Sequence, residues 1–310
     1  MANYTRLNRE AARSIVSEYG LEACGEPVPL DGGQANSSFL IPTEHETVIL
    51  SVCDEKNLQE IDTLTRILLY LEQNGFPGSR VLPDKQGGLY REHEGKPVYL
   101  KRYIKGRVVQ DLSLPMTVQV GRALAQLHAL PPPEGTPRTF AYGFQAMEEL
   151  LSLDLEHPFL AWLHETQDAL KRHIDPDVEQ GFIHGDLFWD NLVFEGETLA
   201  AVLDFEEACS YYTLFDLGMS AVGCCSKNGR FDPEHIRALL RGYGEERDIP
   251  ARERSQLPYF MEYAAAATAL WRFRQYTIRY PLPDKADTYR EMVSLADEAR
   301  DLDPGLFSGK

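Results

Sequence analysis

No stretch of this chain approaches the roughly 20 consecutive apolar residues that a membrane-spanning helix requires. The most apolar late stretch, Tyr263 to Leu270, is far too short. Positive charge is also scarce, with 31 Lys+Arg against 48 Asp+Glu and a formal net charge of -17. So acidic a chain is repelled by a phosphate backbone or an anionic lipid surface, which argues against nucleic-acid and membrane partners. Cysteine is sparse: the five residues Cys24, Cys53, Cys209, Cys224 and Cys225 are odd in number and show no C-x-x-C spacing. That pattern speaks against a disulfide framework or a zinc site and fits small core residues carrying reduced thiols in a cytoplasm. The opening residues reach Arg6, Arg9, Glu10 and Arg13 without an apolar run, so no secretory signal is visible. Neither an internal repeat nor a low-complexity tract is present.

What is there is ordinary globular chemistry, 43% hydrophobic and 25% charged, over 310 residues, enough for two domains or one large two-lobed unit. Asn8 caps a first helix that Gly20 stops. Thr47-Val48-Ile49-Leu50-Ser51-Val52 reads as a strand. Asn57 and Glu60 form a capping box for a helix with Leu58, Ile61, Leu64, Leu68 and Leu71 on one face, ending at Gly75. Two further strands are expected at 88–91 and 97–104, joined by a polar turn at 92–96. After Gly106 helical patterns dominate, at about 115–129, 146–173, 233–244, 256–278 and 285–300, with Asp232-Pro233 as the start of the third. Between them lie three short apolar runs, at 181–183, 192–194 and 199–203, the last two joined by Glu195-Gly196-Glu197 as a small hairpin. The outline is a smaller lobe, residues 1–103, and a larger mainly helical lobe, 104–310, with a cleft between lobes as the default ligand site.

The chemistry concentrates in His184-Gly185-Asp186-Leu187-Phe188-Trp189-Asp190-Asn191, followed by Leu203-Asp204-Phe205-Glu206. An Asp, an Asn five residues on, and another Asp beyond a hairpin are what metal-assisted phosphoryl transfer needs. One carboxylate orients an attacking hydroxyl and accepts its proton, while an amide oxygen and a second carboxylate hold Mg²⁺ on nucleotide phosphates. At about 5% per residue type, His-x-Asp-x4-Asn arises by chance in a few per cent of chains of this length. Its placement between apolar runs, with Asp204 ending a third, makes coincidence rarer still.

These residues resemble the aminoglycoside phosphotransferase and choline kinase family, whose motif is H-G-D-x4-N with a later D-F or D-W. The resemblance implies an α+β, bilobal, protein-kinase-like fold: a small N-terminal lobe with an antiparallel sheet and helix, and a larger, mainly helical C-terminal lobe with an embedded β-hairpin. It implies ATP and Mg²⁺ as cofactors, Asp186 as catalytic base, and Asn191 and Asp204 as metal ligands. His184 becomes a structural residue of the loop. Asp216, in Asp216-Leu217-Gly218, becomes its brace, the alternative for Asp216 being a simple helix cap. One branch is more similar: the bacterial homoserine kinases of this fold, matched by Tyr4-Thr5, by Gly33 to Phe39, by the segment from His184 to Asn191, by Asp204-Phe205-Glu206-Glu207-Ala208-Cys209 and by Gly242-Tyr243.

The loop from Gly32-Gly33 to Phe39 offers backbone N–H groups and hydroxyls to phosphates, with Asn36 and Ser37 nearest the nucleotide. Most members carry a lysine on the following strand, and here Ser51 occupies that place. Lys56 or Lys101 is the candidate substitute, unless both are solvated surface residues. By the family layout Tyr103 and Ile104 meet the adenine. An acidic mouth made of Asp190, Glu206 and Glu207 suits an acceptor carrying an ammonium group. Trp271, with Trp189, Tyr211, Tyr212 and Tyr276, offers aromatic faces to a cation or belongs to core and rim. Arg272 and Arg274 are candidates for an acceptor carboxylate or for surface contacts. The expected activity is ATP-dependent phosphorylation of an amino-bearing alcohol, homoserine first. Aminoglycosides, choline or ethanolamine, hydroxylated amino acids and sugars are alternatives, and an inactive nucleotide-binding regulatory module is a further one.

Overall fold

The computed structural model describes residues 5–30 and 36–307. These fall into two compact units, Met1–Gly106 with Ala200–Leu203, and Arg107–Leu199 with Asp204–Lys310.

The first unit contains helix α1 (Arg9–Glu18), strands β1 (Val28–Pro29), β2 (Asn36–Pro42) and β3 (Thr47–Cys53), helix α2 (Leu58–Gln73), and strands β4 (Arg91–His93) and β5 (Lys96–Arg102). The strands form one antiparallel sheet in the order β1-β2-β3-β5-β4. Along β2 burial alternates, with Ser37, Phe39 and Ile41 inward, as the two-residue period of a strand dictates. Ala12, Ile15 and Val16 of α1 pack on that face with Phe39, Ile41, Val48, Leu50, Val52, Val98 and Leu100. Each fully buried aliphatic chain there contributes about 1.5–3 kcal/mol. Both expected helix starts are present: Asn8 accepts from the Ala11 N–H, and Asn57 and Glu60 close a reciprocal capping box. The hairpin of β4 and β5 is tighter than expected. Glu94 and Gly95, both at positive φ, make the whole turn, so Glu92, His93 and Lys96 belong to strands despite their polarity. One segment far along the chain also belongs to this unit: the Val202 N–H donates to the Pro77 carbonyl at 2.7 Å, and Gly78 bridges to Val202.

The second unit begins with β6 (Arg107–Val108), followed by helices α3 (Leu114–His128), α4 (Phe144–Leu151) and α5 (Pro158–His173). Strands β7 (Gln180–Ile183), β8 (Leu192–Glu195), β9 (Thr198–Val202, of which Ala200–Val202 are counted with the first unit) and β10 (Cys209–Tyr212) precede helix α6 (Thr213–Cys224). Then come β11 (Ser226–Lys227), β12 (Arg230–Phe231), α7 (Pro233–Glu246), α8 (Ala251–Arg254), α9 (Leu257–Phe273) and α10 (Tyr289–Arg300). The single helix expected over 146–173 is two helices. Pro158 has no N–H to donate and sits in the first turn of α5 behind the cap His157, so the chain breaks at 152–157. The last helices also differ from expectation: α9 ends at Phe273, continues as one π-helical stretch, Arg274–Arg279, and α10 starts only at Tyr289.

Helix α6 was not anticipated. Every residue from Thr213 to Gly223 is buried, so it has no polar face and no 3.6-residue alternation to reveal it. It lies against α9 so closely that a Cβ on Gly218 would stand 2.5 Å from the Phe260 carbonyl oxygen. The same device joins α3 to α7, where a Cβ on Gly121 would fall 2.0 Å from the Leu239 oxygen and one on Gly242 1.9 Å from the Val118 oxygen. All five cysteines are free thiols, three of them buried. Among the described residues no helix is long and apolar enough to cross a membrane.

Candidate active site

The segment 184–191 leaves the end of β7, which pairs antiparallel with β10 so that Ile183 lies opposite Cys209. Gly185 sits at φ +85, and a Cβ there would approach the Glu207 carbonyl oxygen to 2.7 Å. Glycine is therefore required twice over, by the left-handed backbone and by the close passage of the Glu207 chain. Gly223 has a similar role, because a Cβ there would enter the Phe188 ring at 2.5 Å. The loop is thus clasped by backbone on both sides.

Beneath it lies Asp216, on α6 and fully buried. Its Oδ2 accepts from the His184 N–H and its Oδ1 from the Gly185 N–H, both at 2.8 Å. His128 Nε2 stands 3.1 Å from Oδ2. Burial alone would raise this carboxyl. The hydrogen bonds it receives from the His128 side chain and the His184 backbone reverse that and hold it below the usual carboxylate range. Asp216 does not cap its helix; Tyr212 occupies the cap position. His184 is buried as well, its ring 4.6 Å from Phe205 and its Nδ1 accepting from the Asp186 N–H at 3.2 Å.

Asp186 is half-buried at the open end of the same loop. Its carboxyl is pushed well above the usual range, first by burial and then by the charges of Asp204, Glu207, Asp190 and Asp216. Asn191 ends the 3-10 turn Trp189–Asn191, and its Nδ2 donates to the Asp186 carbonyl at 2.8 Å. That bond commits the amide nitrogen to protein and leaves the amide oxygen as the ligating atom. Asp204 is exposed and sits at φ +61, a conformation costly outside glycine and typical of constrained sites. Asp190 is raised by desolvation and by Asp204, against the pull of Arg272.

Among the described residues no three His, Cys, Asp or Glu side chains form a metal cluster. The donor set of Asn191 and Asp204 nevertheless fits Mg²⁺, which takes hard oxygens from few side chains and completes its shell with phosphate oxygens and water. The mutual repulsion of four nearby carboxylates is what a divalent cation relieves.

The acceptor candidates separate. Glu207 acts electrostatically on both Asp186 and Tyr142, and Glu206 beside it is half-buried. Tyr142, which sequence reasoning missed, is pushed up to about 12 by burial and Glu207, and it shares a hydrogen bond with Trp271. Trp271 also meets Tyr276 edge to face at 5.7 Å. Arg272 is committed to the Thr288 carbonyl at 3.0 Å and Glu291 at 2.9 Å, which makes it a structural residue. Arg274 acts on Tyr142. Tyr211 instead donates to or accepts from Tyr263 within a buried aromatic cluster.

The nucleotide-side candidates lie mostly in the first unit. Gly33 falls outside the described residues. Asn36 starts β2. The Ser37 hydroxyl donates to Asp54 at 2.5 Å and accepts from the Thr5 N–H at 2.9 Å, in a part-buried group with Lys96, so its O–H is committed to protein. Ser51 is fully buried and 3.1 Å from the Ser38 hydroxyl. Lys56 is half-buried between β3 and α2, and Lys101 lies over the Tyr99 ring at 5.2 Å. The Tyr103 N–H goes to the Thr47 carbonyl at 3.2 Å, leaving only its carbonyl for a base, while Ile104 is half-buried beside it.

Residues 26–257 match the model of the phosphotransferase enzyme family. The chain belongs to that family. It is a small-molecule phosphotransferase, ATP-dependent and acting on a hydroxyl. The homoserine kinase of Pseudomonas aeruginosa is 29% identical to this phosphotransferase over 275 residues, 85% of each chain. That of Agrobacterium fabrum is 26% identical over 268 residues, 83% of each. Among solved structures, an amicoumacin kinase in complex with AMP-PNP, Ca²⁺ and Ami superposes with a TM-score of 0.75 at 14% identity, covering 97% of this chain and 98% of that one. A microcompartment-associated aminopropanol kinase superposes at 0.70 and 20% identity, covering 94% and 96%. These likenesses establish the kinase-like fold.

Proposed function

We propose that this phosphotransferase moves the γ-phosphoryl group of ATP onto the hydroxyl of a small amino-bearing alcohol, homoserine first, and that Asp186 is its base. The observation that carries the reading is the loop itself. Asp216 grips the backbone immediately before Asp186, and Asn191 grips the Asp186 carbonyl, so one carboxylate is fixed at an open, acidic end. Asp186 would accept the proton of the attacking hydroxyl; a carboxylate made more basic by its surroundings is suited to that task. Its position, held by three hydrogen bonds to its own loop, supplies the orientation on which phosphoryl transfer mainly depends. Asn191 Oδ1 and Asp204 would hold Mg²⁺, which when bound neutralises charge on the phosphate oxygens. His184 and Asp216 support the loop. Glu207 and Asp190, with Glu206, would receive the ammonium group beside Trp271.

Nucleotide contacts remain assigned to Gly33, Asn36, Ser37, Lys56, Ile104 and the Tyr103 carbonyl on the sequence resemblance, with 1–103 as the N-terminal nucleotide-binding lobe. Homoserine is favoured by the curated relatives of that name at 29% and 26% identity. The acidic mouth and the sequence of its loop are common to that reading and to a cytoplasmic kinase of amino alcohols. A coupled ADP-release assay over homoserine, aminopropanol, ethanolamine, choline, aminoglycosides and neutral sugars tests it. Turnover of homoserine at the highest kcat/KM supports the proposal. Turnover confined to neutral sugars defeats the role given to the acidic mouth.

A further inference from the structure

The buried floor of the loop continues past Asp216. His128, whose side chain is wholly buried, stands between Asp216 and Tyr243: Nε2 is 3.1 Å from Asp216 Oδ2 and Nδ1 is 3.0 Å from the Tyr243 hydroxyl. Three donors converge on Asp216, which as a carboxylate can only accept, so His128 must present N–H at Nε2. In the neutral ring Nδ1 is then bare and needs a donor. Among the described residues the group supplying one is Tyr243, whose phenol is kept protonated chiefly by burial. No other hydrogen-bond partner of that hydroxyl exists among the described residues.

The hydroxyl is also rigidly placed. It follows Gly242, at the point where α7 and α3 touch backbone to backbone. The next turn of α7 brings Arg247 onto the His128 carbonyl at 2.6 Å and into an ion pair with Glu179, just before β7. Tyr243, His128, Asp216 and the His184–Gly185 backbone thus form one buried line from α7 through α3 and α6 to the loop. Removing the hydroxyl would leave an imidazole nitrogen buried without a partner, and the ring would relieve this by turning or by taking a proton. Either change alters what Asp216 receives, and with it the aim of the loop.

We propose that Tyr243 is a positioning residue for phosphoryl transfer: its O–H donates to the bare Nδ1 of a neutral His128 and so holds the ring with its Nε2–H on Asp216, under the loop that carries Asp186. This rests on Asp186 being the base. In the full-length enzyme, Tyr243→Phe is expected to lower kcat about 10-fold with both KM values within about twofold, the signature of lost transition-state positioning. Nitrogen-15 NMR of the wild-type protein should show His128 as the neutral Nε2–H form, and Tyr243→Phe should shift that signal. His128→Gln, able to donate to Asp216 and accept from Tyr243, should retain at least about 10-fold more activity than His128→Leu. A kcat within about twofold of wild type in Tyr243→Phe would overturn the proposal, as would a wild-type His128 found as Nδ1–H or imidazolium. Should Tyr243→Phe not fold, the wild-type spectrum and the two His128 variants decide. Full activity in Asp186→Asn would instead sink the assignment of the base, leaving the tautomer result to stand by itself.

Discussion

The floor and the open end of one loop shift their carboxylates in opposite directions. Under the loop, Asp216 is wholly buried yet held ionised, because two backbone N–H groups and an imidazole N–H face it. At the open end, Asp186 is less buried but pushed the other way, because its charged neighbours, Asp204, Glu207, Asp190 and Asp216, are acids. Burial opposes ionisation in both, so what differs is the company each keeps. The floor is built for stability and the mouth against it. Residues that destabilise themselves in the resting protein are the ones a cation and a substrate would satisfy.

The strongest way to break that comparison is to neutralise one carboxylate in each region. Asp186→Asn should reduce phosphotransfer by about 10²–10⁴-fold, the usual contribution of a positioned base. Because it removes a charge from a crowded acidic group, it should also leave the metal-free protein at least as stable, with a melting temperature unchanged or higher. Asp216→Asn should do the reverse for the fold. With three donors facing a neutral amide, unfolding by urea should show a loss of about 3 kcal/mol, as for a broken buried pair.

The floor carries a pH signature too. Asp216 is depressed in the folded state, so its contribution is complete above the unfolded carboxylate value of about 3.9 and is lost as pH falls through the lower folded value. Melting temperatures between pH 2 and 6 should fall steeply in the wild type on the acid side and less so in Asp216→Asn. A smaller effect concerns the acids at the mouth. Glu207→Gln should raise the acceptor KM about 10-fold, or about 1.4 kcal/mol. An unchanged KM in steady-state kinetics would show that Glu207 does not meet the acceptor.

Local structure was legible wherever its cause is local. Asn8, Asn57 with Glu60, and Asp232-Pro233 announce helix starts because a cap and its N–H partners lie within three residues. The spacing of Asp186, Asn191 and Asp204 was legible because one loop and one hairpin span it. Pro158 could have divided the helix expected over 146–173, since a proline N-terminal to an apolar run marks a first turn. Nothing nearby in the chain could have reported α6, whose uniformly buried sequence has no periodicity, or the commitment of the Ser37 hydroxyl to Asp54.

The order of residues by itself determined the loop that carries the chemistry, its acidic surroundings and the ends of most helices, because each depends on short-range spacing and on the kind of group present. Only the tertiary structure decided which acid is held low and which is pushed high, that Glu207 acts on Asp186, and which histidine and tyrosine stand beneath the loop. His128 and Tyr243 lie 88 and 115 residues from the groups that complete them. Packing of α3, α6 and α7 brings those groups within hydrogen-bonding distance, and a charge or a tautomer is set by what lies within a few ångströms, however far away along the chain.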